Sequence, residues 1–173
     1  MLSLIQHSKV LSRPRLLRRC AILRKQGNTI VFTNGCFDLL HYGHVRYLQQ
    51  AKQRGDILVV GVNSDRSVQR LKGPSRPLVP ERERAAVLAA LACIDYVTIF
   101  NEDTPGRVIS LLQPDILIKG ADWHNGAIVG ADVVRARGGR VIRMPLVKGR
   151  STSNLIHEIL KKCRPAKRNS SSG

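Results

Sequence analysis

Two histidines, His41 and His44, follow an apolar segment with H-x-G-H spacing, the pattern in this chain that most clearly indicates chemistry. The apolar residues 29–32 predict a buried strand, and Gly35 predicts a turn between that strand and a helix. A helix N-terminus collects free N–H groups and the positive end of the helix dipole, so it can hold a phosphate. Positions three apart share one helical face, so both imidazoles can point at one anion. The sequence therefore predicts a nucleotide-handling enzyme.

Transfer of a nucleotidyl group is the reaction that such a site would serve. Negative charge builds on the equatorial oxygens of the α-phosphate while pyrophosphate leaves, and two imidazoles supply donors there without the bulk of arginine. Two alternatives remain open for the same residues. Asp38, His41 and His44 could share a helical face as metal ligands, although no fourth ligand is evident and no metal site is expected. The histidines could also be a capping pair without chemistry.

Several other classes of protein are excluded by what the sequence lacks. It has neither a G-x-x-x-x-G-K-[ST] phosphate loop nor a G-x-G-x-x-G after the first predicted strand. Its four cysteines are scattered, without a C-x-x-C pair. No apolar run approaches 18 residues, and the first seven residues are too short and polar for a secretory core. We therefore expect a cytoplasmic protein with no membrane segment.

The net charge of +17 lies mostly at the two ends of the chain. Residues before Asp38 carry seven basic and no acidic side chains, and five more bases follow Glu158. Basic arms of this kind can bind nucleic acid, but no aromatic residues alternate with the bases to stack on nucleotides. We therefore expect a basic surface that attracts anionic small molecules, with nucleic acid an unlikely partner.

Apolar strands alternate with amphipathic helices along the chain, which predicts an α/β fold with a single Rossmann-like, doubly wound parallel sheet. Ligands bind such sheets at the carboxyl ends of the strands. Three regions are expected: a basic N-terminal helix packed on the domain (1–28), the catalytic domain (29–162) and a disordered basic tail (163–173). The predicted strands are 29–33, 57–62, 95–100, 115–118 and 140–143, and the predicted helices are 9–26, 42–54, 65–71, 80–92, 103–112 and 151–162.

Two segments of the chain resemble the signatures of the cytidylyltransferase-like nucleotidyltransferase superfamily. They are Thr33–His44, which contains H-x-G-H, and Gly149–Ser153 near the end of the chain. Further motifs resemble one branch, the adenylyltransferases of ADP-heptose synthesis (D-glycero-β-D-manno-heptose 1-phosphate adenylyltransferases). These motifs are 61–65 (GVNSD), 71–77 (LKGPSRP), 95–97 (DYV), 102–105 (EDTP) and 119–123 (KGADW).

The resemblance implies that the chain transfers AMP from ATP to heptose 1-phosphate, with Mg²⁺, giving ADP-heptose and pyrophosphate for lipopolysaccharide or another heptose glycan. It also implies a homodimer, and a stand-alone transferase that depends on a separate sugar kinase. Three alternatives stay open: a cytidylyltransferase for a polyol phosphate such as glycerol 3-phosphate, an adenylyltransferase for a mononucleotide or pantetheine phosphate, and a non-catalytic nucleotide or nucleic-acid binder. Leu146 and Cys36 stand where glycerol-phosphate cytidylyltransferases have Arg and Thr, which favours the adenylyltransferase branch.

The resemblance also assigns roles to individual positions. His41, His44 and Lys72 would be catalytic, with Lys72 holding the acceptor phosphate unless it is simply solvated. Asp38 is assigned to substrate binding with Lys72, although it could instead orient a histidine or cap the helix. Asp122 and Trp123 are assigned to substrate binding too, although a turn-forming and a packing role are the alternatives. The nucleotide would be bound by Gly35, Cys36, Phe37, His41, His44, Gly149, Arg150, Ser151, Thr152 and Ser153.

Overall fold

Strands and helices alternate throughout the part of the chain that the computed structural model describes, which is residues 8–120, 128–145, 147 and 149–163. The strands are β1 (Ile30–Gly35), β2 (Ile57–Asn63), β3 (Tyr96–Phe100), β4 (Ile116–Gly120) and β5 (Arg140–Met144). The helices are α1 (Arg13–Lys25), α2 (Tyr42–Lys52), α3 (Asp65–Lys72), α4 (Glu81–Ala89), α5 (Gly106–Leu112), α6 (Ala131–Ala136) and α7 (Thr152–Lys162).

The five strands form one parallel sheet in the order β3-β2-β1-β4-β5, which confirms the predicted fold class. From β1 the chain moves outward to β2 and β3, then returns to build β4 and β5 on the other side. The direction therefore reverses between β1 and β4. In an open parallel sheet a crevice forms at the carboxyl ends of the strands at this reversal.

Two apolar layers cover the sheet, because the strands are apolar on both faces. Val31 belongs to one buried cluster with Leu48 of α2, and α4 contributes to the same layer. Phe32, the next residue, belongs to the other cluster with Leu16 of α1, together with residues of α5 and α6. Successive residues of a strand point to opposite faces, so this division fixes the side of the sheet on which each helix lies.

The start of the first helix differs from the prediction. Residues 9–11 run parallel to the edge strand β3, where the Leu11 N–H donates to the Val97 carbonyl at 2.9 Å and the Val97 N–H donates to the Lys9 carbonyl at 2.9 Å. The helix begins only at Arg13, because Pro14 suits the first helical turn and lacks an N–H to donate further inside. The segment thereby covers a strand edge that would otherwise expose unpaired backbone groups.

Three further differences concern helices. The predicted helix 80–92 ends at Ala89, and the predicted helix 103–112 begins only at Gly106. The short helix α6 was not predicted; its Ala131 and Val134 pack inward three residues apart, a pattern too short to separate from a loop. The predicted tail lies outside the described residues apart from Cys163, so the three-region division stays a prediction. Within the described ranges, no helix is long and apolar enough to cross a bilayer.

Candidate active site

A cleft of about 450 Å³ opens at the carboxyl ends of the strands and gathers most of the predicted site residues. Gly149 borders this group in sequence without lining the cleft, and Asp122 and Trp123 lie outside the described residues. The predicted residues that line the cleft are Gly35, Cys36, Phe37, Asp38, His41, His44, Lys72, Arg150, Ser151, Thr152 and Ser153.

The loop after β1 is fixed by Phe37. Its backbone takes a φ of 46°, in the left-handed region that non-glycine residues rarely occupy. The buried ring folds back over Gly35, where an added Cβ would lie 3.1 Å from the Phe37 ring. The same ring meets His44 edge-on, with the ring centroids 5.3 Å apart. The loop conformation is thus tied directly to the orientation of one histidine.

The two histidines stand side by side at the start of α2, as the spacing predicts. His41 is the N-cap residue and His44 lies in the first turn. Their rings stack with centroids 3.8 Å apart and planes 22° apart. The Nδ1 atoms of both rings are buried and have no hydrogen-bond partner among the described residues.

Burial keeps both imidazoles uncharged near neutral pH. It lowers the pKa of His44 to about 4, and the neighbouring His41 acts in the same direction. Burial also lowers the pKa of His41, with the charge of Arg150 adding to the effect. Neutral imidazoles donate hydrogen bonds, so the pair can stabilise phosphate oxygens without the repulsion that two stacked cations would suffer.

The second predicted signature lies against the first. Gly149 has a φ of 74°, and the Ser151 side chain caps α7 by accepting from the Asn154 N–H at 3.1 Å. The Thr152 hydroxyl donates to the Leu39 carbonyl at 3.3 Å. These contacts bring the N-terminus of an 11-residue helix to the cleft, where its free N–H groups suit an anion.

Asp38 lines the cleft, and its carboxylate binds the segment that follows α3. Its carboxylate accepts from Arg76 Nε at 2.6 Å and from the N–H groups of Leu78 and Val79 at 2.8 and 3.0 Å. Burial alone would raise the pKa of Asp38, but these hydrogen bonds lower it. The carboxylate holds the 76–79 loop in place, and it lies before α2 rather than on the predicted helical face. The substrate-binding role of Asp38 stays a prediction.

Lys72 and Cys36 reach the cleft in different environments. Lys72 is exposed and ends α3, where Gly73 takes a φ of 92° and turns the chain away. Burial raises the pKa of the Cys36 thiol, although the charge of Lys72 opposes the shift. The thiol therefore stays protonated near pH 7, which leaves the backbone as the useful part of Cys36.

Sequence reasoning missed Arg84, which holds the loops around the cleft together. Its side chain is fully buried and donates to the Asn63 carbonyl and to Asp65 Oδ1, both at 2.8 Å. It also donates to the carbonyls of Val79 and Cys36. In the sequence Arg84 stands among other arginines and glutamates of a helix, so only its burial reveals the role.

Comparisons with known proteins agree with this geometry. The family model described as cytidylyltransferase-like matches residues 32–171. The chain belongs to the cytidylyltransferase-like family. It is therefore a nucleotidyltransferase, as predicted. The crystal structure of the lipopolysaccharide core biosynthesis protein from Thermoplasma volcanium superposes with a TM-score of 0.58 at 30% identity, over 70% of this chain and 98% of that one.

Longer relatives resemble this chain over part of their length. The bifunctional protein HldE of Syntrophotalea carbinolica is 58% identical over 153 residues, which is 88% of this chain and 31% of the relative. The HldE of Geobacter metallireducens is 60% identical over 138 residues, or 80% of this chain and 28% of the relative. The chain thus spans about a third of the length of these curated relatives. Pantothenate synthetase from Thermus thermophilus, at 17% identity and a TM-score of 0.52, shares the fold.

Gly43, the glycine of the H-x-G-H motif, gives a first prediction. A Cβ on Gly43 would lie 3.0 Å from His41 Nδ1 and 3.2 Å from the Cβ of Arg150. We expect Gly43→Ala to push these groups apart and lower kcat about tenfold or more, because small displacements of catalytic groups are costly. Steady-state nucleotidyl transfer measures this, with Gln49→Ala on the exposed face of α2 as the control. A kcat within twofold of wild type would show that the close approach is unimportant.

The lowered pKa of His44 gives a second prediction, about stability. Between about pH 6.5 and pH 4 the unfolded chain binds a proton at this residue and the folded protein does not, so stability falls as the pH falls. From pH 7 to 4.5 wild type should lose about 2 kcal/mol more than His44→Gln. Urea unfolding at both pH values tests this, with His157→Gln as a control outside the cleft. Parallel losses in wild type and His44→Gln would mean that His44 titrates alike in both states.

Proposed function

We propose that the chain transfers AMP from ATP to a sugar 1-phosphate, namely heptose 1-phosphate, and releases pyrophosphate and ADP-heptose. The observation that carries the proposal is the junction of a neutral histidine pair with the N-terminus of α7 in one cleft. That arrangement suits a nucleoside triphosphate, whose charge extends over several phosphates. The branch-specific motifs support the sugar, as do the HldE relatives and the Thermoplasma volcanium protein, whose name refers to lipopolysaccharide core biosynthesis.

The proposed reaction is a single in-line displacement. An oxygen of the sugar phosphate attacks the α-phosphorus of ATP, and a new P–O bond forms. The bond between the α-phosphorus and its bridging oxygen to the β-phosphate breaks, and its electron pair leaves with pyrophosphate. The phosphate monoester is already anionic, so no general base is required. Positioning and charge neutralisation carry the step.

Each part of the cleft has a task in this proposal. His41 and His44 donate to the α-phosphate as charge develops on its oxygens. Arg150 and the N–H groups of residues 151–153 hold the β- and γ-phosphates, which become the leaving group. Lys72, which also lines the cleft, takes the phosphate of the acceptor. Phe37 and Asp38 act indirectly, by fixing the loops that carry these groups.

Mg²⁺ would enter as part of the ATP substrate. No group of three or more His, Cys, Asp or Glu side chains able to hold a metal occurs among the described residues. A magnesium ion is commonly held by substrate phosphates and water with only one or two protein carboxylates, so this donor set fits a substrate-borne ion and not a resident metal centre. None of the roles proposed above is assigned to the metal.

We also propose a homodimer that works in the cytoplasm, where ATP is available. The support for dimerisation comes from α7. This helix has no buried residue, and its Leu155, Ile159 and Leu160 side chains are exposed. Exposed apolar side chains of this kind are stabilised when a second subunit covers them.

Pyrophosphate release over a small matrix of substrates tests the proposed function. ATP and CTP would each be combined with heptose 1-phosphate, glycerol 3-phosphate and nicotinamide mononucleotide, with Mg²⁺ present. We expect turnover with ATP and heptose 1-phosphate that exceeds every other pair by at least about 100-fold in kcat/KM, a ratio set by differential transition-state binding. Preferred turnover with CTP and glycerol 3-phosphate would replace this proposal by a polyol-phosphate cytidylyltransferase. No turnover with any pair would favour a different acceptor or a binding protein.

A further inference from the structure

A buried lysine lies at the cleft and has no role in the mechanism above. Lys119 is the fourth residue of β4, is only 8% exposed and lines the cleft. Its ammonium donates to the side-chain oxygen of Asn34, at the end of β1. No carboxylate lies within ion-pair distance of Lys119 in the described ranges, unlike Arg76, which also lines the cleft and pairs with Asp38.

This ammonium is costly to bury with a neutral amide as its partner. The cost appears in the pKa of Lys119, which burial lowers to about 8. The side chain is therefore still charged at pH 7. An ammonium has three N–H donors, and Asn34 accounts for one of them. Among the described residues nothing else accepts from this ammonium, so two donors and the charge can serve whatever enters the cleft.

Asn34 is held where it can orient the lysine. The neighbouring strand β2 has Gly61 beside it, and a Cβ there would lie 3.2 Å from the Cβ of Asn34 and 2.9 Å from the Phe32 ring. The missing side chain makes room for Asn34 on the surface of the sheet. The amide oxygen thus fixes the direction of the ammonium without cancelling its charge, as an aspartate would.

Lys119 and the two histidines lie toward opposite faces of the sheet, at the carboxyl ends of its strands. Leu117 and Phe32 pack in the layer of α1 and α5, and side chains two residues further along each strand, Lys119 and Asn34, point to the same face. Tyr47 of α2 belongs to the other layer, together with Val31. The cleft on the lysine side is lined by Thr104 and Pro105 at the start of α5. A ligand that spans the strand ends would meet His41 and His44 on one side and Lys119 on the other.

We propose that Lys119, oriented by Asn34, is a phosphate-binding residue that takes a phosphate oxygen of the substrates on the α5 side of the cleft. Two substrate groups offer this chemistry: the α-phosphate of the nucleotide and the phosphate monoester of the acceptor. The proposal deepens the proposed function and rests on it. Its test must therefore separate binding of each phosphate from turnover.

The test replaces Lys119 by methionine, which keeps most of the length of the side chain and removes its charge. We expect Lys119→Met to weaken binding at least tenfold for one substrate, measured calorimetrically with ATP and with heptose 1-phosphate separately. Weaker binding of ATP would identify the α-phosphate, and weaker binding of heptose 1-phosphate would identify the acceptor. The melting temperature should stay equal or rise, because a buried charge is removed. Lys25→Met, exposed on α1, controls for the loss of one positive charge.

A second variant tests the proposal without shortening the lysine. Asn34→Asp would place a carboxylate against the ammonium, which should raise the melting temperature and weaken binding of the same substrate. Binding of both substrates within twofold of wild type in Lys119→Met would overturn the proposal, whatever its melting temperature. If the wild-type protein turns over both substrates and both variants bind them as tightly as wild type, the role of Lys119 is refuted and the proposed function stands. Lys119-dependent ATP binding without any turnover would instead uphold a phosphate role for Lys119 and count against the proposed acceptor.

Discussion

The stacked contact between the imidazoles of His41 and His44 is the interaction on which the rest of the site depends. Two charged rings 3.8 Å apart would repel each other, and burial lowers the pKa of both imidazoles and so disfavours their charged forms. The contact also needs space, which Gly43 supplies by having no side chain, and a fixed loop, which Phe37 supplies through its ring. The N-terminus of α7 can then approach the same point.

Buried polar side chains hold together the loops that surround the cleft. Arg84 ties the loop after β1 to the end of β2 and the start of α3, and Asp38 ties it to the 76–79 segment. Such buried, fully paired groups are costly to break, since removing one partner leaves the other unsatisfied. The phosphate-binding residues are therefore carried on loops that behave as extensions of the sheet.

The sequence predicts an element or a site residue where its role depends on neighbouring positions in the chain. The five apolar strands and the Ser151 cap could be placed from periodicity and capping chemistry, and H-x-G-H identified the histidine pair because both residues lie on one helical turn. Arg84 and Lys119 were missed, because their roles depend on partners that include residues 19 and 85 positions away in the chain. Residue 9 was assigned to a helix because nothing local reveals its pairing with β3.

The most direct measurement is a crystal structure with an ATP analogue whose bridging oxygen between the α- and β-phosphates is replaced by methylene. The account predicts an α-phosphate oxygen about 3 Å from a ring nitrogen of His41 or His44. It also predicts β- and γ-phosphates on the N–H groups of residues 151–153. A triphosphate bound elsewhere, or bound with its phosphates away from both histidines, would contradict the central claim that this histidine pair and α7 form one phosphate site.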